Sequence, residues 1–167
     1  MATGTVHCRA LRLDDPQDAR ALLGLLDHYA RDPMGGGHPL GEHARAHLVA
    51  ALRSVPGYHG GLALDGERAV GLVNCFTGFS TFAAQPLLNI HDLVVHADAR
   101  GRGIGAALLD WARQRAQDLG CCKLTLEVLS GNTRARKVYE AAGYEPYALD
   151  PESGEALLMQ KRLSGAA

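Results

Sequence analysis

The sequence lacks an excess of charge of either sign. It holds 17 basic and 18 acidic residues, for a formal net charge of −1, and only 5% of its residues are aromatic. Proteins that bind nucleic acid usually cluster positive charge, and those that bind single strands interleave it with aromatic side chains. We therefore expect no nucleic-acid partner, and any charged site must be local.

A long apolar run is missing as well. No stretch reaches the roughly 18 apolar residues of a membrane span. The first residues, MATGTVHCRALRL, lack the charged segment followed by an apolar stretch that marks a secretory leader. We therefore expect a cytoplasmic protein with no membrane partner.

Cysteine is scarce, and its spacing indicates neither disulfides nor a metal site. The sequence contains no C-x-x-C pair, and most of its cysteines lie in apolar runs, where a free thiol packs as a small hydrophobe. A chain of 167 residues buries enough surface to fold without a disulfide or a structural metal. We expect a single domain over residues 1–167, no metal, and reduced thiols at Cys8, Cys75, Cys121 and Cys122.

The spacing of apolar residues alternates between the period of a strand and that of a helix. A first strand is predicted over Thr5 to Leu13, and Asp15 followed by Pro16 signals the start of a helix. The predicted order is β-α-α-β-β-β-α-β-α-β-β, a single α/β domain with a mixed sheet. The later strands are predicted around the hairpin turn Asp65-Gly66, at 86–95, at 123–128, and as a terminal pair, YEPYALD and EALLMQKRL.

One glycine pattern suggests a dinucleotide-binding turn. Gly101, Gly103 and Ala106 satisfy the G-x-G-x-x-A spacing, and Glu127 imitates the carboxylate that binds the ribose. In a dinucleotide-binding fold, however, the glycines follow the first strand, and five or six parallel strands surround them. Here they come late and follow an antiparallel pattern. An NAD-binding oxidoreductase therefore stays only as a remote alternative.

The same stretch predicts a phosphate site of another kind. A helix that begins near Gly103 presents unpaired backbone N–H groups and a partial positive charge, and glycines let an anion approach the backbone. Arg100 and Arg102 alternate with the glycines and add charge-assisted hydrogen bonds. We therefore expect a phosphate group to bind over Arg100 to Gly105.

Two motifs resemble those of the GNAT superfamily of N-acetyltransferases. VVHADARGRGIGAALL resembles its acyl-coenzyme A motif, [Q/R]-x-x-G-x-[G/A] after a strand, with Arg100, Gly103 and Gly105 at the defining positions. NTRARKVYEAAGY matches the second signature of the family through Asn132, Tyr139, Gly143 and Tyr144. The firm resemblance covers about Leu88 to Tyr144.

The resemblance implies both a fold and an acyltransferase activity. The fold is a mixed, mostly antiparallel sheet flanked by helices, in which the parallel strands LNIHDLVV and KLTLEV splay apart and hold coenzyme A. The activity is transfer of an acetyl group from acetyl-CoA to a primary amine of a small molecule, amino acid or peptide, by direct attack in a ternary complex. A non-catalytic acetyl-CoA-binding module is the alternative, and a homodimer is one option for assembly.

The resemblance also implies a set of cofactor-binding residues. Backbone groups of the first splayed strand pair with the pantetheine arm, in the manner of an added strand. The glycine loop holds the pyrophosphate, and the last predicted helix adds further contacts. These residues are Leu93, Val94, Val95, Arg100, Gly101, Arg102, Gly103, Ile104, Gly105, Asn132 and Tyr139.

The chemistry requires a base and an acid. An alkyl amine with a pKa near about 10.4 is mostly protonated at neutral pH, so a group must take its proton, and the candidates are His91, Asp92 and Glu127. Strand alternation points His91 and Asp92 to opposite faces unless a bulge intervenes. The family position for the acid that protonates the leaving thiolate is Tyr139.

Each of these assignments has a structural alternative. Tyr139 lies on an apolar helix face and fits the core, Asn132 fits an N-cap, and Glu127 fits a strand-end salt bridge.

His43 and His47 have a spacing that can hold zinc, with His38 nearby, but a solvated helix edge is the default. Basic residues of the last helix suit either a solvated face or the 3′-phosphate of coenzyme A: Arg134, Arg136 and Lys137. Tyr29, Met34 and His38 are candidates to border the substrate cleft.

Overall fold

The computed structural model of the protein describes residues 6–148, 150, 152 and 154–163. These residues group into two compact units, Met1–Leu126 and Glu127–Ala167, which are treated separately. In the part of the chain so described, no helix has both the length and the apolar content of a membrane span. The elements are β1 (His7–Ala10), α1 (Pro16–Arg31), α2 (Glu42–Arg53), β2 (Tyr58–Asp65), β3 (Arg68–Ser80), β4 (Gln85–Val95), α3 (Ile104–Asp118), β5 (Leu124–Leu126) and α4 (Thr133–Ala141).

The strands of the first unit form one sheet in the order β1-β2-β3-β4-β5. Neighbours from β1 to β4 run antiparallel, and β4 pairs with β5 in parallel. The β2–β3 hairpin pairs Asp65 with Arg68 and turns through Gly66, whose φ is 63°. The predicted mixed, mostly antiparallel sheet with one parallel pair is therefore confirmed.

Different helices cover the two faces of this sheet. On one face, Leu62 and Leu72 pack in a buried cluster with leucines of α1 and α2. On the other face α3 lies so close that a Cβ at Gly61 would come within 2.6 Å of Trp111. Glycine at this position therefore permits the close packing of α3 on β2. We refer to the two sides below as the α1 face and the α3 face.

The predicted helix starts are confirmed where a local signal marks them. Asp15 accepts a hydrogen bond of 2.8 Å from the backbone N–H of Gln17, and Pro16 opens α1. Asn132 caps α4 by accepting a bond of 3.2 Å from the backbone N–H of Ala135. The N-cap role of Asn132 is thus real, and it does not exclude a second role for the same amide.

The predicted terminal strand pair is wrong within the described residues of that segment. None of residues 144–148, 150, 152 and 154–163 lies in a strand, and Leu149, Pro151 and Ser153 fall outside the described residues. A backbone hydrogen bond of 3.2 Å runs from Ala156 to Tyr147. Apolar alternation does not suffice, because a strand is stabilised by packing on its neighbours. Here large apolar side chains stay exposed: Leu157, Leu158, Met159 and Leu163.

The first and last strands of the sheet are shorter than predicted. β1 covers His7–Ala10 and β5 covers only Leu124–Leu126. Both lie at an edge of the sheet, where one neighbour supplies all the ladder bonds. The apolar pattern around each strand continues beyond the residues that find a partner, so the pattern overestimated their length.

A buried ion pair joins the start of α1 to β1. Asp18 is 2% exposed, and each of its carboxylate oxygens accepts a bond of 2.7 Å from the Arg9 guanidinium. The backbone N–H of Arg12 donates a further bond of 2.8 Å to Asp18. The hydrogen bonds from Arg9 outweigh burial and hold the pKa of Asp18 below its usual value. The contact between the first strand and the first helix thus depends on an ionised carboxylate.

We predict that Asp18→Asn lowers the free energy of unfolding by about 1.5 to 3 kcal/mol at neutral pH, because charge-assisted bonds are lost. The pKa of Asp18 is depressed by folding, so its stabilisation is complete above the unfolded pKa of about 3.9. It is lost as the pH falls through the folded-state pKa. Urea unfolding at pH 7 and pH 3 measures the deficit, which shrinks at pH 3. Asp14→Asn, at an exposed position nearby, is the control, and an equal Asp18→Asn deficit at both pH values would contradict the prediction.

Candidate acyl-transfer site

The β4 strand continues past the end of its pairing with β5. The parallel register pairs Leu88 to Ile90 with Leu124 to Leu126, whereas β4 itself runs to Val95. On its other side β4 stays paired with β3 as far as Val95. Within the unit Met1–Leu126, the backbone of His91–Val95 therefore has one strand edge that β5 does not cover. Such an edge can pair with an extended ligand.

A β-bulge interrupts β4 at the start of this edge. Asn74 of β3 pairs with Asp92, and the next residue, Cys75, pairs with Ile90, so His91 is an extra residue without a partner across the ladder. A bulge breaks the simple alternation of side chains along a strand. Because this bulge is present, His91 and Asp92 need not point to opposite faces.

Contacts of the two side chains show that both lie on the α1 face. The His91 ring meets the edge of Phe76, with ring centroids 5.6 Å apart and planes at 89°. The Asp92 Oδ2 accepts a bond of 3.0 Å from Asn74 Nδ2. Phe76 and Asn74 are two residues apart on β3 and so share a face. Two of the three base candidates are thereby brought together.

Asp92 is the end of a chain of polar side chains that crosses three strands. The Tyr58 hydroxyl on β2 donates a bond of 2.8 Å to Asn74 Oδ1, and Asn74 Nδ2 donates to Asp92. Asn74 is only 3% exposed. Neither Tyr58 nor Asn74 was among the residues predicted from the sequence. A polar residue inside the apolar run GLVNCF was the available signal for Asn74.

The charge of Asp92 affects the pKa values of other side chains. Burial, together with Cys75 and Asp92, raises the pKa of the Tyr58 hydroxyl. Burial and then Asp92 raise the pKa of the Cys75 thiol to about 12, so this cysteine is an inert core residue. Burial first, and then the charges of Asp92 and Asp32, raise the pKa of Tyr29. Tyr29 was among the predicted residues of the cleft.

The glycine loop between β4 and α3 has the backbone of an anion site. Gly101 and Gly103 have φ angles of 78° and 76°, a region that side chains rarely adopt. A Cβ built on either residue meets open space, so the glycines are required by conformation rather than by crowding. α3 begins directly after Gly103, which makes no side-chain cap, and Gly105 lies in its first turn. The first turn therefore presents backbone N–H groups at the positive end of a helix dipole. Ile104, the first residue of α3, has a buried side chain, and its contact with the cofactor stays a prediction.

This combination of a free strand edge and a glycine loop coincides with a family match. Residues 20–144 match the sequence model of the acetyltransferase (GNAT) family. The chain belongs to the GNAT family. The resemblance carried by Arg100–Gly105 and Asn132–Tyr144 is therefore confirmed.

Individual GNAT relatives match over part of their length. The chain is 33% identical over 96 residues to thialysine N-epsilon-acetyltransferase of Bos taurus. The match covers 58% of this chain and 53% of that protein. It is 39% identical over 92 residues to an uncharacterized N-acetyltransferase of Archaeoglobus fulgidus, covering 54% and 59% of the two chains. This chain thus spans a little more than half the length of these curated relatives.

A solved structure shows the same fold over nearly the whole chain. The crystal structure of a transcriptional regulator from Bacillus halodurans matches with a TM-score of 0.74 at 23% identity. The match covers 94% of this chain and 100% of the other. At this level of identity the likeness shows the GNAT fold alone.

The two arginines of the GNAT motif are engaged with partners in the protein. The Arg100 guanidinium donates a bond of 3.1 Å to the Val95 carbonyl and another of 3.1 Å to Asp32 at the end of α1. Arg102 pairs with Asp65 at 2.7 Å. Arg100 therefore anchors the glycine loop to β4 and α1. Direct phosphate contacts by these two side chains stay predictions.

The remaining predicted site residues lie in the second unit. Glu127 is exposed, and Asn132 caps α4. Tyr139 is half-buried, and its ring lies 6.1 Å from that of Tyr144 at an angle of 59°. The roles of these residues in cofactor binding and proton transfer stay predictions. Arg136 makes a bond of 3.5 Å to Glu140 one turn further along α4, as an exposed helix face does.

The histidines with zinc-like spacing form a different arrangement. The His43 and His47 rings stack with centroids 4.4 Å apart, and His47 Nδ1 lies 2.9 Å from the His43 carbonyl oxygen. Both residues are exposed, which agrees with a solvated helix edge. Over the described residues, no group of three or more His, Cys, Asp or Glu side chains is placed to hold a metal ion.

A pocket of about 630 Å³ opens elsewhere on the first unit. It lies where the end of β1 and the start of β2 meet α3, and Arg12, His59, Trp111 and Arg115 contribute to its wall. No base candidate or glycine-loop residue lines it. Tyr58 lies in the wall and is also the first member of the chain that leads to Asp92.

A stacked histidine pair ties α1 to the segment just before the glycine loop. The His28 and His96 rings are stacked with centroids 4.3 Å apart. The Ala97 backbone N–H donates a bond of 3.2 Å to His28 Nε2, so this nitrogen is unprotonated and the ring is neutral. Burial first, and then the charges of His96 and Arg100, lower the pKa of His28, against the smaller opposing effects of Asp32 and Asp98.

We predict that this contact weakens in mild acid. The pKa of His28 is lowered by folding, so the stabilisation is complete above the unfolded pKa of about 6.5. It is lost as the pH falls through the folded-state pKa. His28→Phe keeps an aromatic ring and removes the acceptor, so the variant loses less stability than the wild type between pH 7 and pH 5. Thermal unfolding across this range measures the difference. His38→Phe, at an exposed position, is the control, and parallel profiles for His28→Phe and the wild type would refute the prediction.

Proposed function

We propose that this GNAT chain transfers an acetyl group from acetyl-CoA to a primary amine in a ternary complex. The observation that carries the proposal is the uncovered edge of β4, which leads directly into a glycine loop at the start of a helix. The bond pattern of such an edge suits an extended arm, and the loop suits a pyrophosphate. The pocket beside Arg12 and Trp111 is not the preferred transfer site, because no residue of the GNAT motif lines it.

Acetyl-CoA fits this part of the chain through the backbone. We expect the main chain of Leu93–Val95 to pair with the pantetheine arm, except for the Val95 carbonyl, which already accepts a bond from Arg100. We expect the N–H groups from Gly101 to Gly105 to bind the pyrophosphate. Side chains matter less at Val94, which is 3% exposed and packs in the core. Acetyl-CoA supplies the activated thioester, and every other step depends on groups of the protein and the acceptor.

Asp92 is the preferred base. The acceptor arrives largely as an ammonium ion, and Asp92 takes one proton from its nitrogen. The neutral nitrogen then attacks the thioester carbonyl carbon, the new C–N bond forms, and the C–S bond breaks. The second nitrogen proton is released, and the leaving thiolate gains one from Tyr139 or from solvent. His91 is the alternative base on the same face, and exposed Glu127 would act through water.

The acceptor is proposed from the curated relatives. One of them is named for acetylation of the epsilon nitrogen of thialysine, which is a primary amine at the end of a flexible chain. The carboxylate of Asp92, which Asn74 joins to Tyr58, suits a cationic amine. A panel with thialysine, single amino acids and a peptide with a free amino terminus tests the class. Thiol release with none of them, despite acetyl-CoA binding, would favour the non-catalytic module.

We predict that Gly103→Glu abolishes acetyl-CoA binding. The new side chain places bulk and negative charge where the pyrophosphate would lie, and φ at this position is 76°. Gly120→Glu is a matched control because Gly120 has a φ of 66°, also faces open space, and lies just past the other end of α3. Both variants carry the same backbone strain, but only Gly103→Glu is expected to lose the rise in melting temperature that acetyl-CoA produces. Equal shifts in both variants would exclude the loop, and a shift with NAD alone would favour the oxidoreductase.

We predict that Tyr139→Phe lowers kcat by about 10- to 100-fold and leaves the KM for acetyl-CoA nearly unchanged. The phenol is proposed to protonate the leaving thiolate, a step that counts in turnover and not in ground-state binding. Steady-state kinetics with thiol detection separates the two constants. Tyr144→Phe removes the hydroxyl of the neighbouring ring and serves as the control. Unchanged kcat in Tyr139→Phe would assign this residue to packing alone.

A further inference from the structure

Asn74 is a buried amide in the middle of an apolar strand. Its neighbours Val73 and Cys75 are fully buried, and Asn74 itself is 3% exposed. An apolar residue would fit such a position without the cost of desolvating an amide. Asn74 offsets this cost by bonding to the Tyr58 hydroxyl and to the Asp92 carboxylate. The amide therefore links these two side chains across β2, β3 and β4.

The chemistry of the partners fixes the orientation of the amide. A carboxylate oxygen can only accept, so the Asn74 Nδ2 must face Asp92. The Asn74 Oδ1 then faces Tyr58, whose hydroxyl donates to it. The reversed amide would place two acceptor oxygens together at Asp92. The carboxylate thus sets the orientation in which Asn74 donates to Asp92, and the Tyr58 hydroxyl supports this orientation by donating to Oδ1.

The backbone provides for this alignment at two places. The bulge at His91 places Asp92 directly opposite Asn74. On the other side of β3, Gly60 pairs with Asn74, and a Cβ at Gly60 would overlap the Tyr58 hydroxyl. Only glycine at this position leaves room for the phenol to lie over the strand and reach the amide.

The alignment leaves one Asp92 oxygen for chemistry. Among the described residues, the hydrogen bond to Asp92 is made through Oδ2. We propose that Asn74, aligned by Tyr58, is a positioning residue that holds Asp92 by Oδ2 and directs Oδ1 to take the proton of the acceptor ammonium. This inference rests on the proposed amine acetyltransferase activity. The proton moves from the acceptor nitrogen to Oδ1 and then to solvent, and Asn74 and Tyr58 keep their own protons.

The test compares two acceptors that differ in their need for a base. Thialysine arrives protonated at neutral pH, whereas trifluoroethylamine is a primary amine of low pKa that is already neutral. Asn74→Leu is expected to lower kcat/KM about 10- to 100-fold for thialysine. It is expected to lower kcat/KM less than about threefold for trifluoroethylamine and to leave the KM for acetyl-CoA unchanged. Asp92→Asn is expected to show the same selective loss.

A matched control separates positioning from general damage to the sheet. Asn89→Leu removes an amide of β4 that also lies on the α1 face. This amide bonds to Thr125 Oγ1 at 3.0 Å and not to Asp92. It is expected to keep the wild-type ratio of the two acceptors. Equal losses for both acceptors in Asn74→Leu would show a purely structural role and overturn the proposal. So would a wild-type ratio in Asn74→Leu or full activity in Asp92→Asn.

A second pair of variants keeps the test valid if Asn74→Leu does not fold. Tyr58→Phe and Gly60→Ala leave Asn74 in place and disturb only its alignment, so each is expected to show a selective loss of about 3- to 10-fold for thialysine. No selective loss in either folded variant would overturn the proposal. If the wild type acetylates none of the acceptors, the proposed function is overturned. If the wild type is active but the variants lose activity equally for both acceptors, only the positioning role is overturned.

Discussion

The extra residue His91 in β4 is the constraint on which the candidate site depends. A strand without a bulge would point Ile90 and Asp92 to the same face. Either Ile90 would leave the α3-face core, where it opposes Cys75, or Asp92 would be buried against α3. The bulge removes this conflict, because Ile90 keeps its apolar surroundings and Asp92 turns to the α1 face beside Asn74.

The bulge also divides β4 into a segment that is paired on both sides and a segment that is paired only with β3. Directly before it, at Leu88–Ile90, β4 is paired on both sides, with β3 and with β5, and Leu88 is fully buried. After it, the backbone keeps its β3 partner and β5 no longer follows. The rigid half of β4 therefore anchors the half whose edge is open, and Arg100 extends this anchoring into the glycine loop through its bond to the Val95 carbonyl. A preorganised edge and loop reduce the ordering cost of binding an extended cofactor.

Features that depend on neighbouring residues could be predicted from the sequence, and features that depend on distant pairing could not. Asp15 and Asn132 cap helices because their side chains reach a backbone N–H two or three residues away. The bulge at His91 depends on the register with β3, which no local pattern determines. The bond between Arg100 and Asp32 likewise joins residues far apart in the sequence, and the contact of Arg100 with phosphate stays a prediction. The terminal strand pair and the lengths of β1 and β5 were overestimated for another reason. Alternating apolar residues predict a strand whether or not a neighbouring strand is present to pair with it.

Two carboxylates on the α1 face show how partners assign different roles to the same chemical group. Asp18 receives both of its side-chain bonds from the cationic Arg9, with a third from a backbone N–H, so its charge is neutralised inside the protein. Asp92 is held by the neutral amide of Asn74. A neutral donor holds the carboxylate in place without neutralising its negative charge, so the charge can still attract a cationic ligand. An arginine would neutralise it. The buried amide adds a desolvation cost that an apolar residue would avoid, and the proposed role of Asp92 as the base accounts for this cost, because orientation then matters more than stability.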